Sequence, residues 1–66
     1  MEIFINGEVQ HFAASPTVAD LLVARDLAGK RVAVERNGEI VPKSRHAQTR
    51  LASGDRIEIV IAVGGG

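Results

Sequence analysis

The strongest hydrophobic pattern lies near the end of the chain, where apolar residues alternate over residues 56–63 and predict a β-strand. Its isoleucines share one face, which we expect to be buried, whereas Glu58, Val60 and Ala62 share the other. The glycines that follow favour no regular structure, because glycine loses more backbone entropy on ordering than any other residue. The pattern predicts a domain over residues 1–63 and a flexible tail over residues 64–66. A frayed end or a cloning remnant is the alternative interpretation of this tail.

A second alternating pattern, over residues 1–13, predicts a β-hairpin at the start of the chain. Asn6-Gly7 fits the two central positions of a type I′ turn, both of which need a positive φ. That turn pairs Phe4 with Val9 and places the isoleucines of the first strand on the core face, together with Phe12. Phe4 and Val9 then lie on the opposite face of the sheet.

One helical pattern follows the hairpin. Val18, Leu21 and Leu22 have the i, i+3, i+4 spacing of a buried helix face. Thr17 and Asp20 resemble a capping box at its start, with aspartate replacing the usual glutamate or glutamine. Ala28-Gly29 predicts the end of the helix, which would then have about three turns.

The remaining elements are shorter. Residues 31–36 predict a strand, and Asn37-Gly38 repeats the tight-turn signal before a short edge strand that Pro42 limits. Residues 44–50 are polar and allow a single helical turn. The order β-β-α-β-β-(short helical turn)-β predicts an α+β fold, in which one main helix crosses one face of a mixed four- to five-stranded sheet. The other face is left to solvent or to a partner.

The composition argues against several classes of function and of binding site. Eight basic and eight acidic residues give a net charge of zero, which argues against attraction to nucleic acid or to an anionic membrane. No run has transmembrane length and no signal peptide is recognisable, so we expect a cytoplasmic protein. The absence of cysteine excludes disulfides, thiolate metal sites and thiol nucleophiles. His11 and His46 are far apart without nearby carboxylate clusters, so we interpret both as structural or surface residues and expect no metal site.

Four stretches together resemble one known family. They are TVADLL at 17–22, VAVERNGEIVP at 32–42, LASGD at 51–55 and EIVIAVGGG at 58–66. In this order, the combination is similar to the ThiS family, the sulfur carriers of thiamine biosynthesis. The resemblance implies a ubiquitin-like β-grasp fold whose first and last strands lie parallel at the centre of the sheet. One departure is His46, at a position that is often tryptophan in that family, so the contacts of this loop are expected to differ.

The resemblance also implies a function, that of a protein cosubstrate and not of an enzyme. An E1-like adenylating enzyme would use ATP and Mg²⁺ to adenylate the carboxylate of Gly66, and a sulfur donor such as a cysteine desulfurase would supply sulfur to form a thiocarboxylate. Thiazole synthase would then consume that sulfur. Gly65 would thread behind the reacting residue and Gly64 would add reach. The chain would bind no cofactor itself and would be a monomer when free.

The helix-free face is the predicted docking surface for these partners. In a β-grasp sheet the parallel central strands would bring Phe4 and Val60 near each other, and their apolar neighbours on this face are Val9 and Ala62. Arg56 and Glu58 would form a polar rim. Isolated surface hydrophobes and solvated surface charges are the alternative interpretations.

Two other functions remain open from the sequence. One is a related carrier for another acceptor, like the small subunit of molybdopterin synthase. The other is a ubiquitin-like modifier or a plain interaction module, which would need no free terminus when it acts only by docking.

Overall fold

The computed structural model describes residues 1–62, so the predicted tail and its boundary with the domain lie outside the described residues. Five strands, one α-helix and one 3-10 helix follow one another along this part of the chain. They are β1 (Glu2–Ile5), β2 (Glu8–His11), α1 (Val18–Ala24), β3 (Val32–Arg36), β4 (Glu39–Ile40), the 3-10 helix Lys43–Arg45 and β5 (Arg56–Ile61). This is the predicted order of elements.

The five strands form one mixed sheet in the order β2-β1-β5-β3-β4. The first and last strands, β1 and β5, pair in parallel at its centre, and every other pairing is antiparallel. The parallel central pair is the β-grasp arrangement that the resemblance implies. The short strand β4 lies at one edge, as Pro42 led us to expect.

Both Asn-Gly pairs form the predicted tight turns. Asn6 and Gly7 have φ values of 51° and 84°, and Asn37 and Gly38 have values of 51° and 87°. A type I′ turn needs two consecutive residues with positive φ, which asparagine and glycine tolerate best. The first turn sets the predicted register of the hairpin, in which Phe4 lies opposite Val9.

The helix α1 begins where the sequence predicts it. The Thr17 side chain accepts a hydrogen bond from the Asp20 N–H at 3.1 Å, and the Asp20 carboxylate accepts one from the Thr17 N–H at 2.9 Å. These bonds form a capping box, in which two backbone N–H groups without a helical partner are satisfied. They also lower the pKa of Asp20, because the Thr17 backbone N–H and then the Thr17 hydroxyl stabilise the charged carboxylate.

The predicted end of the helix is wrong, because α1 stops at Ala24 after seven residues. Asp26 adopts the left-handed conformation, with φ of 59°. Its N–H donates to Val23 O at 3.1 Å, and the Leu27 N–H donates to Leu22 O at 2.7 Å. These two bonds form a Schellman cap, in which Asp26 takes the place that glycine usually occupies. Leu27 packs against the core beside the helix, which favours this early reversal.

The core lies between α1 and one face of the sheet. Its buried members are Ile3, Ile5, Val18, Leu21, Leu22, Val34, Leu51, Ile57 and Ile59. Ile61 follows the same alternation in β5 but is 48% exposed. Because β1 ends at Ile5, opposite Ile57, Ile61 has no neighbour from β1.

The long segment between β4 and β5 is fixed by hydrogen bonds to the rest of the domain. His46 is buried, its Nε2 lies 3.0 Å from Val41 O, and its carbonyl accepts from the Ala19 N–H. The structural interpretation of His46 is therefore confirmed, whereas His11 is exposed beside Glu2.

Asp55 ties the start of β5 to the turn between β3 and β4. Its carboxylate accepts hydrogen bonds from Ala52 N, Arg36 Nε and Asn37 Nδ2 at 2.8, 2.9 and 3.1 Å. Burial alone would raise the pKa of Asp55, but the bonds from Ala52, Asn37 and Arg36 outweigh burial and lower the pKa.

Candidate functional site

The last strand carries the chain through the centre of the sheet toward residues 63–66. Backbone pairing with β3 continues past the end of β5, since the Ala62 N–H donates to Arg31 O at 2.9 Å. The backbone is therefore held in place up to the residue before Val63. A reactive group on residues beyond this point would emerge from a fixed position on the domain.

The two halves of β5 have different neighbours. Phe4 and Ile5 of β1 pair with Arg56 and Ile57. Beyond the end of β1, the Asn6 side chain continues the hydrogen bonding to β5 in place of a backbone. Its Nδ2 donates to Ile59 O at 3.2 Å, and its Oδ1 accepts from the Ile59 N–H at 2.8 Å. Past Ile59, the pairing partners of β5 within residues 1–62 belong to β3 and the residue that precedes it.

Phe4, Val9 and Arg56 form one cluster on the helix-free face, which we call the hairpin patch. Phe4 and Val9 lie opposite each other in β1 and β2, and they are 36% and 44% exposed. The Arg56 guanidinium carbon lies 5.9 Å from the centroid of the Phe4 ring, within the range of a cation–π contact. The predicted position of Phe4 and Val9 on the helix-free face is confirmed.

Val60 and Ala62 form a second cluster with Ala33, which we call the strand-end patch. Val60 is 60% exposed and lies opposite Ala33 of β3. The predicted proximity of Val60 to Phe4 is wrong. Phe4 lies opposite Arg56, and Val60 is four positions further along β5, which separates the two patches by about 13 Å along the strand.

Glu58 lies between the two patches, directly opposite Glu35 of β3. Arg56 thus belongs to the hairpin patch and Glu58 lies between the two patches, and their role as the polar rim of a docking surface stays a prediction. Two like charges directly opposite each other destabilise a sheet. A cationic side chain placed between Glu35 and Glu58 by a partner would relieve that repulsion.

The sequence analysis did not single out Ala33 and Glu35 as part of this face. The alternation of β3 contains the signal, because Val34 faces the core and its two neighbours in the alternation therefore face away from it. The alternation does not predict that Ala33 pairs with Val60 or that Glu35 pairs with Glu58, because both pairings depend on the register of β3 against β5. The predicted reactive tail, Gly64, Gly65 and Gly66, lies outside the described residues.

Residues 1–62 show no grouping of three metal-ligating side chains that could hold an ion. In the same part of the chain, no helix is long and apolar enough to cross a membrane.

The sequence model of the ThiS family matches residues 3–66. The chain belongs to the ThiS family. A sulfur carrier protein ThiS from Bacillus subtilis is 50% identical over 63 residues, which cover 94% of this chain and 96% of that protein. The crystal structure of the thiamine biosynthesis protein ThiS from Geobacter metallireducens superposes with a TM-score of 0.83, at 32% identity and with full coverage of both chains.

A third relative is much longer than this chain. The protein named thiazole synthase from Paramagnetospirillum magneticum is 52% identical over 66 residues, but this chain spans only 20% of its length. Within that relative, a segment similar to this chain is part of a larger polypeptide.

The family and the solved structure confirm the predicted ubiquitin-like β-grasp fold. The family match and the relative named sulfur carrier protein ThiS agree with the family that the sequence predicted.

Proposed function

We propose that this chain carries sulfur on the carboxyl carbon of Gly66 and donates it for thiazole formation. An E1-like adenylating enzyme first joins the carboxylate to the α-phosphate of ATP, which releases pyrophosphate, while Mg²⁺ in that enzyme offsets the phosphate charge. Sulfide then attacks the carbonyl carbon. When a cysteine desulfurase is the donor, its persulfide attacks instead, and a further thiol reduces the resulting acyl disulfide and becomes oxidised to a disulfide. AMP leaves, and a thiocarboxylate remains on the chain.

The observation that carries this proposal is the presentation of the end of β5. The strand is central, its backbone is held through Ala62, and the glycines follow four residues or fewer beyond that point. Glycine residues allow a narrow segment of backbone to approach an enzyme's reacting groups closely. The strand-end patch lies beside this exit and the hairpin patch lies farther back, so an enzyme that receives the tail meets an apolar surface of the domain at the same time.

Thiazole synthase is the proposed acceptor of the sulfur. Support comes from the Paramagnetospirillum magneticum relative, whose name is thiazole synthase and which contains a segment similar to this whole chain. Joining a carrier to its acceptor in one polypeptide raises their effective concentration, which suits two proteins that must meet repeatedly. The proposal that an adenylating enzyme and a sulfur donor act on this chain is supported by the family resemblance.

The test is the intact mass of the chain after incubation with ATP, Mg²⁺, sulfide and the adenylating enzyme. We expect a mass increase equal to the replacement of one oxygen by sulfur, and we expect none for a chain that lacks Gly66. The Bacillus subtilis carrier serves as the control for an active enzyme. If that carrier gains sulfur and this chain does not, the proposal is wrong.

A docking module without carrier function gives a different result. One residue appended after Gly66 would block adenylation of the original carboxyl group, because that group would then be an amide. Simple docking through the sheet would continue almost unchanged. Loss of sulfur transfer with retained docking therefore supports the carrier. Docking by both chains with no sulfur transfer to either of them supports a module.

A further inference from the structure

Asn6 binds the last strand with its backbone and with its side chain. Its backbone N–H donates to Ile57 O at 2.9 Å, which completes the pairing of β1 with β5. Its side-chain amide then binds both backbone groups of Ile59, and a neighbouring strand would make the same two bonds with its backbone. Within residues 1–62, Ile59 is therefore the last residue of β5 that is hydrogen-bonded on the β1 side.

Beyond this residue, β5 and β3 form a two-stranded ribbon. Ile61 pairs with Val32, and the Ala62 N–H donates to Arg31 O. Packing restrains the ribbon little, because Val60 and Ile61 are 60% and 48% exposed. Two-stranded ribbons twist more strongly than strands inside a sheet. The direction in which the chain leaves the domain therefore depends on where this ribbon begins.

The Asn6 side chain determines that starting point. Without it, the hydrogen bonding of β5 on the β1 side would end at Ile57, and the ribbon would begin two residues earlier. At about 3.3 Å per residue, the ribbon would become roughly 7 Å longer and would twist further at its end. The bond between Ala62 and Arg31 could persist, because it belongs to the pairing with β3. The chain would then keep its strand partner and lose its fixed direction relative to β1.

We propose that Asn6 is a positioning residue for sulfur transfer, which directs the tail toward the reacting groups of the adenylating enzyme. The inference rests on the proposed function, in which that enzyme binds the helix-free face and acts on Gly66. The glycines offer the enzyme no side chain to bind, so the direction of β5 decides where the tail begins its path. At the reacting atoms, a misplacement of about 1 Å can lower a rate on the order of 100-fold.

Asn37 provides a matched control, because it occupies the same place in the second Asn-Gly turn and has the same φ of 51°. Its side chain also binds near β5, since Oδ1 accepts from the Arg56 N–H at 2.9 Å and Nδ2 donates to the Asp55 carboxylate at 3.1 Å. Asn6→Gly and Asn37→Gly therefore each remove two side-chain hydrogen bonds from turns of similar geometry. Asn37 acts at the start of β5, whereas Asn6 acts near its end.

The measurement is the initial rate of thiocarboxylate formation by intact mass, with the carrier as the varied substrate. For Asn6→Gly we expect kcat to fall about tenfold at unchanged KM, because the sheet still docks while fewer docked carriers present the tail correctly. For Asn37→Gly we expect both constants to equal the wild-type values. Circular dichroism gives the folded fraction of each variant at the assay temperature, and the carrier concentrations are corrected for it.

Asn6→Asp replaces the glycine variant if that variant does not fold. The carboxylate can still accept the bond from the Ile59 N–H but cannot donate to the Ile59 carbonyl. The expected result is again a lower kcat at unchanged KM, with a smaller decrease than for glycine.

Two results would overturn the inference. Equal kcat values for the Asn6 variant and Asn37→Gly would mean that Asn6 has no effect on the reaction beyond stability. A higher KM at unchanged kcat for the Asn6 variant would mean that its side chain contacts the enzyme instead of positioning the tail. Failure of the proposed function is distinguishable from both, because the wild-type chain would then form no thiocarboxylate.

Discussion

The two halves of β5 differ in what surrounds them. Residues 56–59 lie between β1, extended by the Asn6 side chain, and β3, and their isoleucines are buried. Residues 60–62 are exposed and pair, within the described part of the chain, with β3 and Arg31 alone. The inner half stabilises the domain, and the outer half presents its side chains beside the exit of the chain. The proposed carrier function needs both properties in one strand, because a reactive end must be accessible while the strand that precedes it stays fixed.

The largest loss of stability is expected for a substitution in the buried inner half of β5. Ile57 is 1% exposed, whereas Ile61 is 48% exposed on the same side of the strand. Ile57→Ala should lower the free energy of unfolding by about 2–5 kcal/mol, because it removes buried methyl groups and leaves a cavity. Ile61→Ala should cost less than about 1 kcal/mol.

Urea denaturation of both variants measures this contrast. If Ile57→Ala does not fold, Ile57→Val replaces it, with an expected loss of about 0.5–1.5 kcal/mol. Equal losses at positions 57 and 61 would contradict the distinction between the halves.

The next largest loss of stability is expected at the boundary between the two halves of β5. The Asn6 side chain determines where this boundary lies. Asn6→Gly keeps the positive φ of the turn but removes both side-chain bonds to Ile59. Leaving these backbone groups unpaired should cost about 1–3 kcal/mol. Amide hydrogen exchange should accelerate at Ile59 more than at Ala62, whose N–H bonds to Arg31 instead. Unchanged exchange at Ile59 would show that Asn6 does not extend β1.

A smaller, pH-dependent effect is expected at the base of the inner half. The pKa of Asp55 is lowered from its usual value of 3.8, so the folded state binds this proton less readily than the unfolded state does. The stability that this difference supplies is present above the unfolded-state pKa and is lost as the pH falls through the lower folded-state pKa.

Asp55→Asn should therefore reduce the loss of stability between neutral pH and about pH 3. Denaturation curves across this range, for the wild type and for Asp55→Asn, measure the difference. Parallel pH profiles would mean that the bonds from Ala52, Asn37 and Arg36 do not stabilise the charged carboxylate.

The smallest effect on stability is expected in the exposed patches. Val60→Asp should change the free energy of unfolding by less than about 1 kcal/mol, because Val60 is 60% exposed. Phe4→Asp should cost more, because Phe4 is only 36% exposed and would lose its contacts with Val9 and Arg56. Both should slow thiocarboxylate formation, and Val60→Asp should slow it more because the strand-end patch lies nearer the exit. Ala24→Asp is the control on the helix side. If neither adenylation nor thiazole formation changes, the helix-free face is not a docking surface.

Local signals in the sequence were sufficient for much of the fold. Each Asn-Gly pair determines a turn, because few other residues tolerate two consecutive positive φ values, and each turn then fixes the register of its hairpin. Thr17 and Asp20 determine the start of the helix in the same local way. The end of the helix escaped prediction because Asp26, and not Gly29, makes the first left-handed reversal.

The geometry of the site depended on contacts that no local pattern encodes. The residues of the helix-free face followed from alternation, so Phe4, Val9 and Val60 were placed on the correct side. Their separation did not follow, because the register of β1 against β5 is set by the whole chain between them and by the end of β1 at Ile5.

Intact mass spectrometry of sulfur transfer tests the central claim most directly. The wild-type chain and a chain with one alanine appended after Gly66 are incubated under identical conditions with the adenylating enzyme, ATP, Mg²⁺ and sulfide. The account predicts that one oxygen is replaced by sulfur in the wild-type chain and that the extended chain keeps its original mass at equal folded stability. A wild-type chain that gains no sulfur from an enzyme that is active on the Bacillus subtilis carrier would contradict the account.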